Sequence, residues 1–205
     1  MTVREGTGDG EMNEASAPRA EFCRRCGRAT TPPRPTGETH YPATCGACGH
    51  TEYDGPSVVV ACPLYEGDRL LWMRRATAPY RGRWTIPSGF VDRGETVNEA
   101  ACREVLEETR LRIDPEQLRL FTVLSLPSMN QVYVGLAAPL PDHNFGPTAE
   151  ALEVALFARD EVATLEVGYP DAAMPLVMSG YDAIARGLSR HRPRQYVLRG
   201  RDPAA

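Results

Sequence analysis

The chain has 205 residues, 42% of them hydrophobic, and a formal net charge of −4 at pH 7. This length suits one ordinary domain with a small appendage, and the apolar fraction is sufficient for a packed core. The acidic charge argues against general affinity for nucleic acid, and no apolar run approaches the ~20 residues that a membrane-spanning helix needs.

The N-terminal segment, residues 1–20, is polar and rich in Gly, Ala and Glu. It lacks the apolar stretch of a secretory signal peptide, and its composition predicts a disordered tail. We therefore expect a cytoplasmic protein. In that compartment the six cysteines are thiols or metal ligands rather than disulfides.

Two Cys-x-x-Cys-Gly motifs, CRRCG and CGACG, lie within residues 21–52. A gap of two residues lets both thiolates of a pair face one tetrahedral ion, and the following Gly permits a tight turn. The spacing predicts a zinc ribbon over 21–52 that holds a structural Zn²⁺. Its predicted ligands are Cys23, Cys26, Cys45 and Cys48. Two unrelated pairs of reduced thiols and a redox motif are the alternatives, but no βαβ pattern surrounds either pair.

Residues 55–200 alternate strand-like and helix-like segments, which predicts a mixed α/β domain. Five short apolar or β-branched segments, bounded by Gly, Pro or Asp, are the predicted strands. They cover residues 57–63, 69–74, 120–126, 131–138 and 153–158. Two helices are predicted, one that begins near Thr96 and one over roughly 171–190.

The first predicted helix carries three glutamates within a short distance. Thr96 and Glu99 form the S/T-x-x-E capping box, which places the start of the helix at Thr96. At about 100° per residue, Glu104, Glu107 and Glu108 form one stripe. The stripe lies beside an apolar arc formed by Val97, Ala101, Cys102, Val105 and Leu106. Because Glu104 and Glu108 border this arc, we expect them to be only partly exposed.

Three carboxylates in such a position raise one another's pKa values unless a cation neutralises them. Hard oxygen ligands select Mg²⁺ or Mn²⁺, and a metal-bound water becomes a nucleophile. The cluster therefore predicts a site that hydrolyses a phosphate or a diphosphate. A solvated acidic helix face is the alternative interpretation.

From Gly89 the sequence GFVDRGETVNEAACREVLEETRL resembles the Nudix box, G-x5-E-x7-R-E-U-x-E-E-x-G-U, where U is aliphatic. Every defined position matches except Arg110, where the family has Gly. The resemblance implies the α/β/α sandwich of the family, with a mixed sheet, and metal-dependent hydrolysis of a nucleoside diphosphate linked to another moiety. We expect this domain to occupy residues 55–200.

The resemblance extends beyond the box. The ribbon upstream is similar to that of the NADH pyrophosphatase branch. The segments LPSMNQVYVGLAAPL and GPTAEALEVALFARDEV are similar to a zinc-ribbon group associated with ADP-ribose and flavin dinucleotide hydrolysis. SLPSMNQVY stands where the NADH branch has an aromatic and proline-rich motif, which argues against NADH as the preferred substrate.

The resemblance also implies roles for individual residues. Glu104, Glu107 and Glu108 would bind Mg²⁺, with the Gly89 carbonyl near the metal. Arg103 would orient a glutamate, and Glu95 would hold the loop against the helix. One further position, Glu150, resembles a fourth metal ligand or a general base. A solvated loop glutamate is the alternative for Glu150.

The candidate substrate contacts are Arg75, Trp84, Gln131 and Tyr133. Arg75 ends a predicted strand that faces the box loop, where it could reach a phosphate. Trp84 could stack on a base or pack in the core. Gln131 and Tyr133 are candidate base or ribose contacts, and Tyr133 is equally compatible with a core position.

Arg110 replaces a glycine that would end the helix in a left-handed conformation. Either Arg110 accepts that strain to reach a phosphate, or the helix runs one residue further. We expect the second, since Arg110 would then lie at the negative C-terminal end of the helix.

Together these features predict a pyrophosphohydrolase with catalytic Mg²⁺ or Mn²⁺ and structural Zn²⁺. Its substrate would be NAD(H), ADP-ribose, FAD or a modified NAD-like dinucleotide, cleaved to two monophosphates. The alternatives are an NAD-type RNA decapping hydrolase and a catalytically dead ligand sensor. We expect a small-molecule partner, no membrane, no nucleic acid, and a homodimer as the candidate assembly.

Overall fold

The computed structural model describes residues 22–30, 43–52 and 55–197, so the predicted tail over 1–20 lies outside the described residues. The chain divides into two compact units, a smaller one that ends at Gly55 and a larger one that begins at Pro56. Within the described ranges, no helix is both long enough and apolar enough to cross a membrane.

The smaller unit contains a two-stranded antiparallel sheet, formed by β1 (Ala43–Thr44) and β2 (Thr51–Glu52). The segment between these strands holds the second cysteine motif. The first motif is closed in the same way by an isolated bridge between Phe22 and Ala29. Each motif is therefore a tight turn with a short pair of extended residues at its base.

The larger unit contains nine strands and two helices among the residues described. The strands are β3 (Ser57–Ala61), β4 (Leu64–Glu66), β5 (Arg69–Arg75), β6 (Trp84–Thr85), β7 (Ser88–Phe90), β8 (Arg119–Leu126), β9 (Gln131–Pro139), β10 (Ala151–Ala158) and β11 (Arg194–Val197). The helices are α1 (Val97–Thr109) and α2 (Pro170–Arg186).

The five predicted strands correspond to β3, β5, β8, β9 and β10, with bounds that differ by at most a few residues. The remaining strands have two to four residues each, too short for an alternating apolar pattern to reveal them. The second helix ends at Arg186 rather than near 190, because Gly187 (φ 76°) turns the chain there.

Strand β9 is the centre of a mixed sheet. It runs parallel to β3 and to β4 at successive positions along one edge, and antiparallel to β8 along the other. The main path of pairing is β10-β5-β4-β9-β3-β7, while β11 adds to β8 and β6 adds to β5. This topology brings the loops after β5 and β7 to the same region as the start of β9 and β10.

Each face of the sheet is covered by one helix, which confirms the predicted α/β/α sandwich. Side chains alternate along β5, so that Leu70 and Trp72 pack against α2 while Leu71 packs against α1. Trp72 Nε1 donates a hydrogen bond to the Tyr181 hydroxyl of α2 at 3.1 Å. Val105 of α1 is fully buried on the opposite face. The two resulting apolar clusters hold α1 and α2 rigidly on the sheet.

Candidate active site

The loop before α1 is tied to the helix by reciprocal hydrogen bonds. Thr96 is the N-cap, and Thr96 and Glu99 make both bonds of the predicted capping box. One residue earlier, the Glu95 carboxylate accepts from the backbone N–H of Asp92 at 3.0 Å and from Arg103 Nε at 2.9 Å. The segment from β7 to α1 therefore has a defined position relative to the helix axis.

Arg103 organises the acidic cluster. Its Nη1 lies 2.5 Å from Glu104 Oε1 and 3.3 Å from Glu107 Oε2. Its Nη2 donates to the Phe90 carbonyl at 2.9 Å and to Glu95. Every nitrogen of the Arg103 guanidinium therefore has a carboxylate or carbonyl partner in the protein, and these bonds hold Glu95, Glu104 and Glu107 around it.

Glu104 and Glu108 are buried, with only 8% and 3% of their surface exposed, so the expectation of partial exposure was wrong. The buried face of α1 is rotated toward the glutamates and away from the predicted arc, since Ala100 is buried while Cys102 and Leu106 are only half-buried. Two small residues, Ala100 and Ala101, allow α1 to approach the sheet this way.

Gly89 makes room for one of these carboxylates. A Cβ atom built on Gly89 would overlap the carboxylate of Glu104. Glycine is therefore required at position 89 because the Glu104 carboxylate packs closely against it, and not because the backbone is left-handed there. It brings the β7 backbone against the acidic cluster.

Burial has a large electrostatic consequence for Glu108. Loss of solvent raises its pKa to about 8, while the Ser88 backbone N–H, which donates to Glu108 Oε2 at 2.8 Å, acts in the opposite direction. The neighbouring charges of Glu104 and Glu150 raise the pKa further, and Arg75 lowers it. A buried carboxyl in this state gains most from a bound cation.

Glu104 shows the same pattern. Burial is the main cause of its raised pKa, Arg103 opposes the shift, and the charges of Glu107 and Glu150 add to it. Four carboxylates thus influence one another, and the one arginine that pairs with Glu104 does not offset them all. The donor set is all oxygen, which fits Mg²⁺ or Mn²⁺.

The cluster opens into a cavity of about 420 Å³. Predicted site residues that line it are Arg75, Gly89, Glu104, Glu108, Gln131, Tyr133 and Glu150. The structure thus brings together the end of β5, the box loop, α1, the start of β9 and the loop before β10. Glu107 does not line the cavity: its side chain is 47% exposed and pairs with Arg103 beside it.

Arg75 and Arg74 point to opposite sides of β5. Arg74 turns away from the cavity and pairs with Glu153 at 3.6 Å. Arg75 turns toward the cavity, where its Nε donates to the Pro79 carbonyl at 3.0 Å and its Nη2 to Thr77 Oγ1 at 3.3 Å. The guanidinium of Arg75 is therefore held in place at the cavity wall.

Trp84 is a packing residue, which corrects its assignment as a substrate contact. Its ring meets Phe157 edge-on at 4.9 Å between centroids and belongs to the cluster under α2. It is absent from the cavity wall. The side chain alternates away from the site because its β-strand neighbour, Thr85, takes the cavity-facing position.

Tyr133 and Gln131 face the cavity from alternate positions of β9. Burial raises the pKa of Tyr133, with a further increase from Tyr169 and a decrease from Arg75. Gln131 Oε1 is buried and has no hydrogen-bond partner among the described residues. An unpaired amide oxygen in a cavity wall is costly unless a ligand or water satisfies it.

Sequence reasoning missed several side chains of the cavity wall, among them Phe90, Met129 and Tyr169. Phe90 and Met129 are exposed although apolar. Tyr169 precedes α2 as its N-cap and has the left-handed values φ 51°, ψ 51°. No periodic pattern includes these residues, because each lies at a strand end or in a short connection.

The expectation for Arg110 was wrong, since the helix does not run past it. Arg110 is the C-cap and adopts a left-handed conformation (φ 72°), with its N–H donating to Leu106 at 2.9 Å. The next residue, Leu111, is 2% exposed in the cluster under α1. The chain must turn sharply at Arg110 for Leu111 to enter the core, which explains why the family has Gly there.

The four ribbon cysteines also lie together. Their sulfur atoms are all within 4.8 Å of one another. Gly27 and Gly49 follow the two motifs with the same φ of 70°, and their N–H groups donate to the backbone carbonyls of Cys23 and Cys45. The backbone N–H groups of Ala47 and Cys48 lower the pKa of Cys45 to about 6. The arrangement is compatible with one tetrahedral zinc ion.

Comparison with known proteins identifies the larger unit. The family model described as NUDIX domain matches residues 55–175. A crystal structure of a NUDIX hydrolase from Nitrosomonas europaea is similar at 32% identity and a TM-score of 0.69, over 87% of this chain and 98% of that one.

Two curated proteins carry more specific names. The NAD-capped RNA hydrolase NudC of Mycobacterium tuberculosis is 32% identical over 173 residues, which are 82% of this chain and 53% of that protein. An ADP-ribose pyrophosphatase of Methanocaldococcus jannaschii is 41% identical over 59 residues, which are 29% of this chain and 35% of that protein. This chain thus spans about half, or less, of the length of either relative.

Proposed function

The chain belongs to the NUDIX family, and we propose that it uses a divalent cation to hydrolyse the diphosphate linkage of a dinucleotide or a related nucleoside diphosphate derivative. The observation that carries this proposal is the pair of buried carboxylates, Glu104 and Glu108, in the wall of an open cavity. Buried acidic groups without full compensation need a cation, and the cavity leaves room for a substrate beside it.

The residues that would hold Mg²⁺ or Mn²⁺ are Glu104, Glu107, Glu108 and the Gly89 carbonyl. When bound, the cation would offset the phosphate charge and lower the pKa of a coordinated water. Arg103 keeps Glu104 and Glu107 in position. These assignments follow the match to the box, and the packing of Glu104 against Gly89 supports them.

Arg75 would contact the diphosphate from the cavity wall, where its charge also reaches Glu108. Its guanidinium is fixed by Pro79 and Thr77, so little conformational entropy is lost when it binds an anion. Glu150 lines the same cavity and affects the pKa values of Glu104 and Glu108. It would accept a proton from the attacking water or serve as a further ligand.

The substrate would carry a nucleotide on at least one side of its diphosphate. The two named relatives act, by their names, on ADP-ribose and on NAD-capped RNA, and such molecules share this linkage. Cleavage of NAD-capped RNA is the second candidate, since similarity to NudC extends over 82% of the chain. A ligand sensor without activity is disfavoured because every box glutamate is present and two of them, Glu104 and Glu108, line one cavity.

The ribbon would hold Zn²⁺ through Cys23, Cys26, Cys45 and Cys48. Four sulfur ligands leave no coordination position for water, so this zinc would be structural. The grouping of the thiols within 4.8 Å supports the proposal.

The test is a substrate panel. The purified protein is incubated with Mg²⁺ and NAD⁺, NADH, FAD, ADP-ribose or NAD-capped RNA, and the products are separated by chromatography. We expect two monophosphates from at least one dinucleotide. Glu107→Gln should lower turnover by about a hundredfold or more because it removes an anionic ligand without changing shape.

Glu116→Gln is the matched control, since Glu116 is exposed and lies outside the cavity. It should retain the full rate. Absence of product from every substrate, or equal rates for Glu107→Gln and the unmodified protein, would contradict the proposal.

A further inference from the structure

The cavity wall has an aromatic and apolar part besides its acidic part. This part includes Tyr133 from β9 and Tyr169 at the start of α2, with Met129, Ala173 and Leu176. None of these residues can bind a cation through a carboxylate. They would surround the part of a substrate that is not the diphosphate.

Arg75 links the acidic and the aromatic parts of the cavity wall. Its charge lowers the pKa of Glu108 in the acidic part. Its guanidinium carbon also lies 5.5 Å from the centre of the Tyr169 ring, in a cation–π arrangement. If a phosphate contacts Arg75, the nucleotide that carries this phosphate would therefore lie beside the Tyr169 ring.

The main chain before Tyr169 is pinned to β6. The N–H of Trp84 donates to the Glu166 carbonyl at 2.8 Å, and the N–H of Gly168 donates to the Trp84 carbonyl at 2.8 Å. These two hydrogen bonds fix the main chain that leads into Tyr169 at the cavity. Tyr169 has a left-handed conformation, which is unfavourable by about 1 kcal/mol or more for a residue other than glycine. The surrounding structure thus determines where this ring stands.

A second tyrosine supports the first from behind. Tyr80 also has a left-handed backbone (φ 63°), and its ring meets Tyr169 edge-on at 4.5 Å between centroids. A Cβ on Gly168 would come within 3.3 Å of Tyr80 Cβ, which shows how closely the two loops pack. With Tyr80 on one side and Arg75 on another, the Tyr169 ring is ordered before any ligand arrives.

We propose that Tyr169 forms a ring subsite, in which its cavity-facing side stacks on the planar base or pyridine ring of the nucleotide whose phosphate contacts Arg75. The proposal deepens the proposed function and rests on it for the position of the diphosphate. A fixed aromatic face binds any flat ring, and stacking contributes about 1–3 kcal/mol per base. Tyr169 would therefore select substrates with a ring on this side of the linkage.

The test compares product-like ligands that differ only in the ring. Affinities for AMP, nicotinamide mononucleotide and ribose 5-phosphate are measured by calorimetry in the presence of Mg²⁺. We expect at least one of the two nucleotides to bind about fivefold or more tightly than ribose 5-phosphate. Whichever nucleotide shows this preference identifies the ring that occupies the subsite.

Two variants assign the preference to Tyr169. Tyr169→Asn, a residue that tolerates the left-handed conformation, should reduce nucleotide affinity to that of ribose 5-phosphate. Tyr169→Phe should keep the preference because the ring remains. If the unmodified protein binds all three ligands equally, or if Tyr169→Asn weakens ribose 5-phosphate as much as the nucleotides, the subsite is refuted.

These binding measurements need no turnover. A protein that cleaves nothing in the substrate panel but discriminates AMP from ribose 5-phosphate would refute the hydrolase and retain the subsite. A protein that cleaves a dinucleotide without such discrimination would support the hydrolase and refute the subsite.

Discussion

The ribbon and the carboxylate site gather anionic ligands in opposite ways. In the ribbon, two similar turns each supply two thiols, and among the described residues of that unit the buried apolar side chains are Cys23 and Cys45. In the larger unit, the glutamates lie on one helix that an extensive apolar cluster holds against a sheet. The thiols themselves form the buried core of the smaller unit. In the larger unit, the glutamates are buried polar groups beside an apolar core that forms without them.

This difference would separate the proposed structural zinc from the proposed catalytic cation. Where the ligands supply the core, a metal must be present for the unit to fold, and sulfur closes the coordination sphere. Where the core forms without the ligands, a metal can bind and dissociate while the unit stays folded. The unfavourable burial of the carboxylates then favours binding of a cation at the site. The four predictions below test this contrast.

Loss of zinc should have the largest effect. Metal analysis should find about one zinc per chain, and Cys26→Ser should remove it and unfold the ribbon, since zinc binding supplies on the order of 10 kcal/mol to such units. The thermal transition of the larger unit should shift by less than about 3 °C, because neither apolar cluster contains a ribbon residue. Freshly purified protein without zinc, or with a Cys23–Cys26 disulfide, would refute this.

A pH effect should follow from Glu108, whose pKa burial raises from 4.5 to about 8. Between these values the unfolded chain is ionised while the folded carboxyl keeps its proton, so the folded state loses stability as pH rises. In magnesium-free buffer the free energy of unfolding should fall by roughly 3–5 kcal/mol from pH 5 to pH 8.5.

Thermal unfolding at each pH measures the Glu108 effect. Glu108→Gln, which cannot ionise, should remove most of the decline, and saturating Mg²⁺ should do the same for the unmodified protein. An equal decline in Glu108→Gln would show that other groups cause it.

Gly89→Ala should have an intermediate effect confined to catalysis. The added methyl group would occupy the space of the Glu104 carboxylate and displace it. We expect turnover to fall by about tenfold or more while the circular dichroism spectrum is unchanged, because a shift of about 1 Å at a site of this kind is costly. Gly46→Ala, where nothing lies within 4 Å of the new Cβ, is the matched control. Full activity in Gly89→Ala would refute the close approach.

Arg110→Gly should have the smallest effect and a favourable one. Glycine adopts the left-handed conformation of this C-cap without steric strain, so the free energy of unfolding should increase by about 1 kcal/mol. Because Arg110 is exposed and does not line the cavity, catalytic efficiency should change by less than about threefold. A tenfold loss in a folded variant would instead make Arg110 a substrate contact.

The sequence alone predicted those structural features that depend on a few residues close together in the chain. The cysteine motifs predicted four thiols that the fold brings together. The capping box predicted Thr96 as the N-cap of α1, and the acidic stripe predicted that Glu104 and Glu108 lie side by side, as they do in the cavity wall. Five strands were predicted because each is long enough to show an apolar pattern. In these cases the chain contacts itself locally, so spacing translates directly into geometry.

Only the tertiary structure decided how these parts face one another. Three features satisfy packing requirements of the sheet or of Leu111. They are the rotation of α1 that buries Glu104 and Glu108, the inward position of the Trp84 side chain and the left-handed backbone of Arg110. Tyr169 and Arg75 meet because β5, β6 and the segment before α2 are neighbours in the fold. Such contacts depend on strand order and side-chain volume across long separations, which no local pattern in the sequence records.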